Sequence, residues 1–154
     1  MNQLALRATI LWIHALSGIV WVGASAAFVI AAIATGASSD EGIAFARRVA
    51  PRINRVELGA VAVLVTSGIV NVILAGWAKH FRFSGAFRSI LTVKILILAA
   101  MALALASSFR AERVLRSADA TAAGRAAGRI VALFALIVAM GSVALGLGLW
   151  LAGS

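Results

Sequence analysis

Four long apolar stretches divide the chain. Residues 8–39 contain no Asp, Glu, Lys or Arg, and neither do 58–78, 95–109 or 130–154. A helix needs about 20 mainly apolar residues to cross the hydrocarbon core of a bilayer. Three of the stretches reach that length unaided. The third reaches it only as 89–109, which takes in Lys94. The pattern predicts transmembrane helices at about 5–34, 53–77, 88–109 and 129–151. The fold class is therefore all-α, a four-helix transmembrane bundle forming one membrane domain over residues 1–154. A soluble core cannot use four such segments in so short a chain. The first stretch is longer than the roughly 7–15 residue apolar region of a signal peptide, and it reads as a retained helix.

The connecting segments carry their own signals. Ser38 or Ser39 can cap a short separate helix, with Asp40 and Glu41 in its first turn and Arg47 and Arg48 in its last. Those charges complement a helix dipole, and Pro51 follows as a stop. Ile43, Phe45, Ala46 and Val49 would then rest on the membrane surface. Glu57 sits beside Arg52 and Arg55 in the sequence and reads as their charge partner at the membrane boundary. Residues 110–129 read as helix 3 continuing out of the membrane, with a turn near Gly124 or Gly128.

Composition sharpens this picture. The chain is 63% hydrophobic and 12% charged, where a soluble domain is about a quarter charged. The net charge of +9 would suggest nucleic acid in a soluble protein. Here the basic residues lie between the apolar segments, where the positive-inside rule expects them, so no nucleic-acid partner is expected. Nine of them fall on one side: Arg47, Arg48, Arg52, Arg55, Arg110, Arg113, Arg116, Arg125 and Arg129. Four fall on the other: Arg7, Lys79, Arg82 and Arg88. Both termini and the second loop are therefore expected on the outer, periplasmic side of a cell inner membrane. The expected localisation is multi-pass, with the lipid bilayer as the first partner. Trp12, Trp77 and Trp150 mark the outer edge. The absence of cysteine excludes disulfides, thiolate metal sites and cysteine nucleophiles.

Ionisable groups inside the hydrocarbon are functional candidates by default. The first is His14, roughly 14 Å from the outer end of helix 1. The second is Lys94, roughly 9 Å from the outer end of helix 3. Asn71 in helix 2 reaches a similar depth, so polar groups of three helices meet at one level. Ser17, Gly18 and Trp21 follow His14 on one helix face. An imidazole, a glycine that leaves a shallow slot and a tryptophan wall are what a haem-binding helix needs. His80, in Trp77-Ala78-Lys79-His80, lies just outside the membrane. Plainer roles stay open. His14 or Asn71 would then only hydrogen-bond a neighbouring helix, Lys94 would snorkel to the interface, and His80 would be a solvated surface residue. Met101 and Met140 read as core filling, and Gly141, Gly146 and Gly148 as close helix packing.

Helix 1 thus contains H-x6-W-x-G, from His14 through Trp21 to Gly23, and helix 3 begins Arg88-Ser-Ile-Leu-Thr-Val-Lys94. This resembles the superfamily of small membrane proteins that contains the copper-resistance protein D (CopD) domain and the HemJ-type protoporphyrinogen oxidases. The resemblance implies haem b, and on the HemJ branch the oxidation of protoporphyrinogen IX, with His14 and Lys94 at the essential positions. HemJ-type chains usually continue with a Leu-Pro-Arg segment. This chain reads Ala24-Ser-Ala-Ala-Phe28-Val-Ile instead, locally closer to the CopD branch.

The leading expectation is a haem b-binding redox membrane protein. His14 would be an axial ligand and His80 the candidate for the other axial position. Gly18 and Trp21 would flank the macrocycle. Lys94 would face a propionate or an acidic substrate group, and Arg88 would hold propionates at the rim together with Arg7, Lys79 and Arg82. If the chain is catalytic, it would be an oxidoreductase with a tetrapyrrole substrate and a quinone acceptor. Two other classes stay open. One is a copper or small-solute permease, with His14 and His80 as metal ligands. Copper(I) favours Cys and Met, however, and the chain has no Cys and three Met. The other is a non-catalytic accessory subunit of a larger membrane complex, or a homo-oligomer.

Overall fold

Each expected span lies inside a longer helix, because its flanks are also helical. The computed structural model describes residues 3–78, 80, 82–117 and 119–153, with side chains described for 4–77, 80, 82–117 and 119–148. Helix α1 spans Gln3–Ala34, α2 Asp40–Ala78, α3 Gly85–Ser117 and α4 Ala120–Gly153. All four are long and apolar enough to cross a membrane, so the chain is a multi-pass membrane protein. The 39 residues of α2 extend for roughly 58 Å, about twice the ~30 Å of a hydrocarbon core.

The helices run alternately up and down. Arg7 at the start of α1 donates to the Leu74 carbonyl near the end of α2. Arg47 at the start of α2 donates to the Leu115 carbonyl near the end of α3. Phe28 of α1 meets Phe134 of α4 edge-on at 4.9 Å. Helix α1 packs against α2 and α4, α3 packs against α4 and α2, and α1 and α3 stand at opposite corners. Both ends of the chain therefore lie at one end of the bundle, and the nine arginines lie at the other.

Tight packing is confined to the arginine-rich half. Buried apolar residues run from Trp21 to Ala32 on α1 and from Ile43 to Ala60 on α2. They continue from Met101 to Leu115 on α3 and from Ala123 to Ile137 on α4. Alanines at positions 46, 50, 104, 123, 126 and 127 let the backbones approach, as small residues do between membrane helices. In the half that carries the termini, Ser17 and Ser67 are the buried polar residues. Large apolar side chains such as Leu11, Ile19, Ile69 and Leu96 point outward there. Trp12 and Trp77 are also exposed at that end. The side chain of Trp150 and all of Lys79 lie outside the described residues.

Two expected boundaries move. The segment before Pro51 is not a separate surface helix, since α2 continues through Pro51 without interruption. Proline inside a helix costs about 3 kcal/mol. Here both flanks, Ala46 to Ala50 and Asn54 to Ala60, bury into one core, and that burial outweighs the local cost. Ile43 and Ala46 are accordingly buried, and Phe45 lies against Phe28 with centroids 5.5 Å apart. None of them rests on a membrane surface. Ser39 does cap the helix, its Oγ accepting from the Gly42 N–H at 3.0 Å. Gly36, with φ of 73°, makes the preceding left-handed turn. Helix α3 ends at Ser117 and α4 begins at Ala120, so the turn is not near Gly124 or Gly128. Asp119 caps α4 by accepting from the Ala122 N–H at 2.8 Å. Both glycines therefore sit inside α4.

Candidate functional site

His14 is held by α2. Its Nδ1 lies 3.1 Å from the Leu64 carbonyl oxygen and 3.1 Å from Ser67 Oγ. The carbonyl can only accept, so Nδ1 carries the proton and donates. That fixes the tautomer and leaves the Nε2 lone pair unprotonated. Nε2 makes no hydrogen bond and is not sealed from the surroundings. The ring lies against the backbone of Gly68, where an added Cβ would stand 3.1 Å from His14 Cε1. Ser67 in turn donates to the Val63 carbonyl at 2.6 Å. Ser17 donates to the His14 carbonyl at 2.9 Å.

Lys94 faces the same level from the diagonal corner. It is half-buried and forms no ion pair or hydrogen bond among the described residues. Its ammonium passes close to α4, where a Cβ on Gly148 would stand 3.0 Å from Nζ. Its charge is close enough to act on the His14 ring. The four helices thus supply an imidazole, a hydroxyl beside a glycine, an ammonium and a second glycine at one depth. Each of the two polar groups occupies room beside a glycine that a Cβ would crowd. This level lies outside the tightly packed half.

The remaining sequence candidates disperse. The slot expected against Gly18 is occupied by α2, because a Cβ there would meet Leu64 Cδ1 at 3.7 Å. Trp21 is fully buried in the tight half and forms no wall of an open slot. His80 is exposed beyond the end of α2, in a left-handed turn with φ of 46°. It follows Gly68 by twelve residues, ten of them helical, which is roughly 15 Å of rise before the turn. The structure therefore does not bring His14 and His80 together. Arg88 is exposed and lines a shallow surface depression with Gly85, Ser89 and Thr92. Arg7 is engaged by the Leu74 carbonyl, and Arg82 is exposed. Asn71 is half-buried and makes no hydrogen bond to another helix. Met101 is buried and Met140 packs against the core, as filling residues do. Gly141 is a close-packing glycine, as expected, whereas Gly146 has open space.

A second polar layer lies deeper, toward the arginine-rich end. Glu57 is fully buried and accepts from Ser25 Oγ at 2.5 Å. It is not the charge partner of Arg52 and Arg55, because residues two and five positions away on a helix point to other faces. Both arginines are exposed. One turn from Glu57, Asn54 is also fully buried. Its Nδ2 donates to Glu112 Oε2 at 2.7 Å, and its Oδ1 accepts from Ser108 Oγ at 2.6 Å. Arg116 pairs with Glu112. The signal for this layer was present as helical spacing. Asn54, Glu57, Leu64, Ser67 and Gly68 share one face of α2, and His14, Ser17, Trp21 and Ser25 share one face of α1.

The donor set fits one axial iron ligand and one anion-facing cation, and it does not supply a paired imidazole at the same depth. Among the described residues no three His, Cys, Asp or Glu side chains gather as a metal-binding group. No protein-family model, no curated protein and no solved structure matches the chain.

Proposed function

We propose that the protein is a haem b-binding redox protein of the inner membrane, of the HemJ/CopD type, with its site in the outer half of the bundle. The supporting observation is the state of His14. Its Nδ1–H is tied to a backbone carbonyl and a hydroxyl, which is how metal-ligating histidines are usually oriented. Nε2 is left to ligate. Lys94, without a counter-ion among the described residues, would face the carboxylate of a propionate or of an acidic tetrapyrrole substrate. Bound haem would supply the electron transfer. The chain's own residues fix the imidazole and present the cation. The arginine-rich end faces the cytoplasm in this reading.

The test is the visible spectrum of protein purified in mild detergent after expression with ample haem. A Soret band that disappears in His14→Ala, with helicity retained, is expected. A colourless wild-type protein refutes the proposal. Bound copper without haem would point to a permease instead, and a stoichiometric co-purifying partner to an accessory subunit.

A further inference from the structure

The deeper polar layer contains a carboxyl group that the proposed haem site does not use. Glu57 is fully buried. From α1, the Ser25 hydroxyl donates to Oε1, and the Trp21 indole N–H is directed at the same carboxyl. That N–H forms no hydrogen bond of normal geometry, and neither does Glu57 Oε2. On α2 itself, Asn54 lies one turn away and is committed to Ser108 and Glu112. From α3 come Ser108 and Glu112, the latter already paired with Arg116. From Ile130 onward α4 has no ionisable residue. No cation pairs with Glu57 among the described residues.

Neither protonation state of this group is fully satisfied. The carboxylate has one hydroxyl donor but no positive partner, and a buried charge without one is costly. The acid can give its proton to the Ser25 oxygen, which accepts as well as donates, but the second carboxyl oxygen stays without a partner, and a buried polar atom without one is also costly. A group whose two forms are each partly supported is suited to exchange. A polar chain begins one turn away: Ser108 donates to Asn54, Asn54 donates to Glu112, and Glu112 pairs with Arg116, whose side chain is 58% exposed.

We propose that Glu57 is an intramembrane proton-exchange site, taking up and releasing a proton on the side where the Ser108–Asn54–Glu112 chain leads to Arg116. The exchange is Glu57 carboxylate plus a proton giving the carboxylic acid, with no other reactant. It does not depend on the haem reading and is measurable on colourless protein.

The experiment is infrared titration of the full chain in lipid vesicles. The wild type is expected to show a protonated-carboxyl C=O band that is lost as pH rises. Glu57→Gln keeps an oxygen for Ser25 and should lack that band entirely, while Ser25→Ala moves its midpoint. An unchanged band in Glu57→Gln, or a wild type without any titrating carboxyl band, overturns the proposal. Should the variant not fold, a wild type without a titrating band still overturns the proposal, and the site of labelling below assigns the band where there is one. A hydrophobic carbodiimide reacts with protonated membrane carboxyls, and mass spectrometry should place its adduct on Glu57 at low pH and not at high pH. No adduct at Glu57 under either condition also overturns it.

Discussion

Gly141 of α4 marks a close approach to Val22 of α1, and its replacement by alanine has a calculable outcome. An added Cβ would collide with Val22 Cγ2, and it would stand 3.3 Å from Met101 Cε and 3.5 Å from Val22 Cβ. The methionine end can swing aside at little cost. Val22 cannot do so easily, because a β-branched side chain in a helix has one strongly preferred χ1. Relief therefore requires α1 to move away from α4. Overpacking of this kind costs about 1–3 kcal/mol. Alanine regains at most about 1 kcal/mol of helix propensity over glycine. Because the collision is with a stiff side chain, the cost falls in the upper part of that range, about 2–3 kcal/mol, and the net expectation for Gly141→Ala is a loss of about 1–2 kcal/mol. The assay is reversible unfolding in mixed micelles followed by circular dichroism, run as a double-mutant cycle with Val22→Ala. Removing the Val22 methyls removes the collision, so the double variant should be no less stable than Val22→Ala alone. Gly128→Ala is the control, since nothing lies within 4 Å of the new methyl there. Wild-type stability in Gly141→Ala, or strict additivity with Val22→Ala, refutes the packing argument.

Two further outcomes follow from the polar layers. Asn54→Ala removes one hydrogen bond to Ser108 and one to Glu112. Interhelical bonds in membranes average about 0.6 kcal/mol, and a stranded buried acceptor adds about 1–3 kcal/mol. Unfolding should register a loss of about 2–4 kcal/mol, and a loss below that of an exposed Ser107→Ala control would contradict the network. Gly68→Ala pushes a methyl to 3.1 Å from His14 Cε1 and displaces the imidazole from its carbonyl anchor. Haem titration should show affinity weakened about 10-fold or more, the scale typical of a lost orienting contact. Unaltered affinity in a haem-binding wild type would mean that the ring is not positioned by α2.

The four spans were legible because charge-free runs of that length have no other use in a short chain. The shared depth of His14 and Lys94 was legible too, since rise per residue fixes depth without knowledge of neighbours. Lateral arrangement was not. Sequence does not say that α1 and α3 stand diagonally, so Asn71 was the expected third member of the layer when Ser67 and Gly68, one turn deeper, hold the ring. Glu57 was misread for a related reason. Its neighbours in sequence are arginines, but its partner Ser25 is 32 positions away on another helix. Pro51 misled because local propensity spoke for a break and burial on both sides overruled it.

The division of hydrogen bonds between the two helix pairs bears on how the protein is made. Arg7, His14 and Ser25 all bond to α2, so every one of these contacts closes within the first pair. Asn54 and Arg47 bond to α3 instead. The ribosome delivers α1 and α2 first, so that pair can enter the bilayer with its histidine and its glutamate already partnered. Asn54 and Arg47 must wait for later-synthesised chain. The last polar contacts to form then lie at the arginine-rich end, and the second pair would be docked from that end.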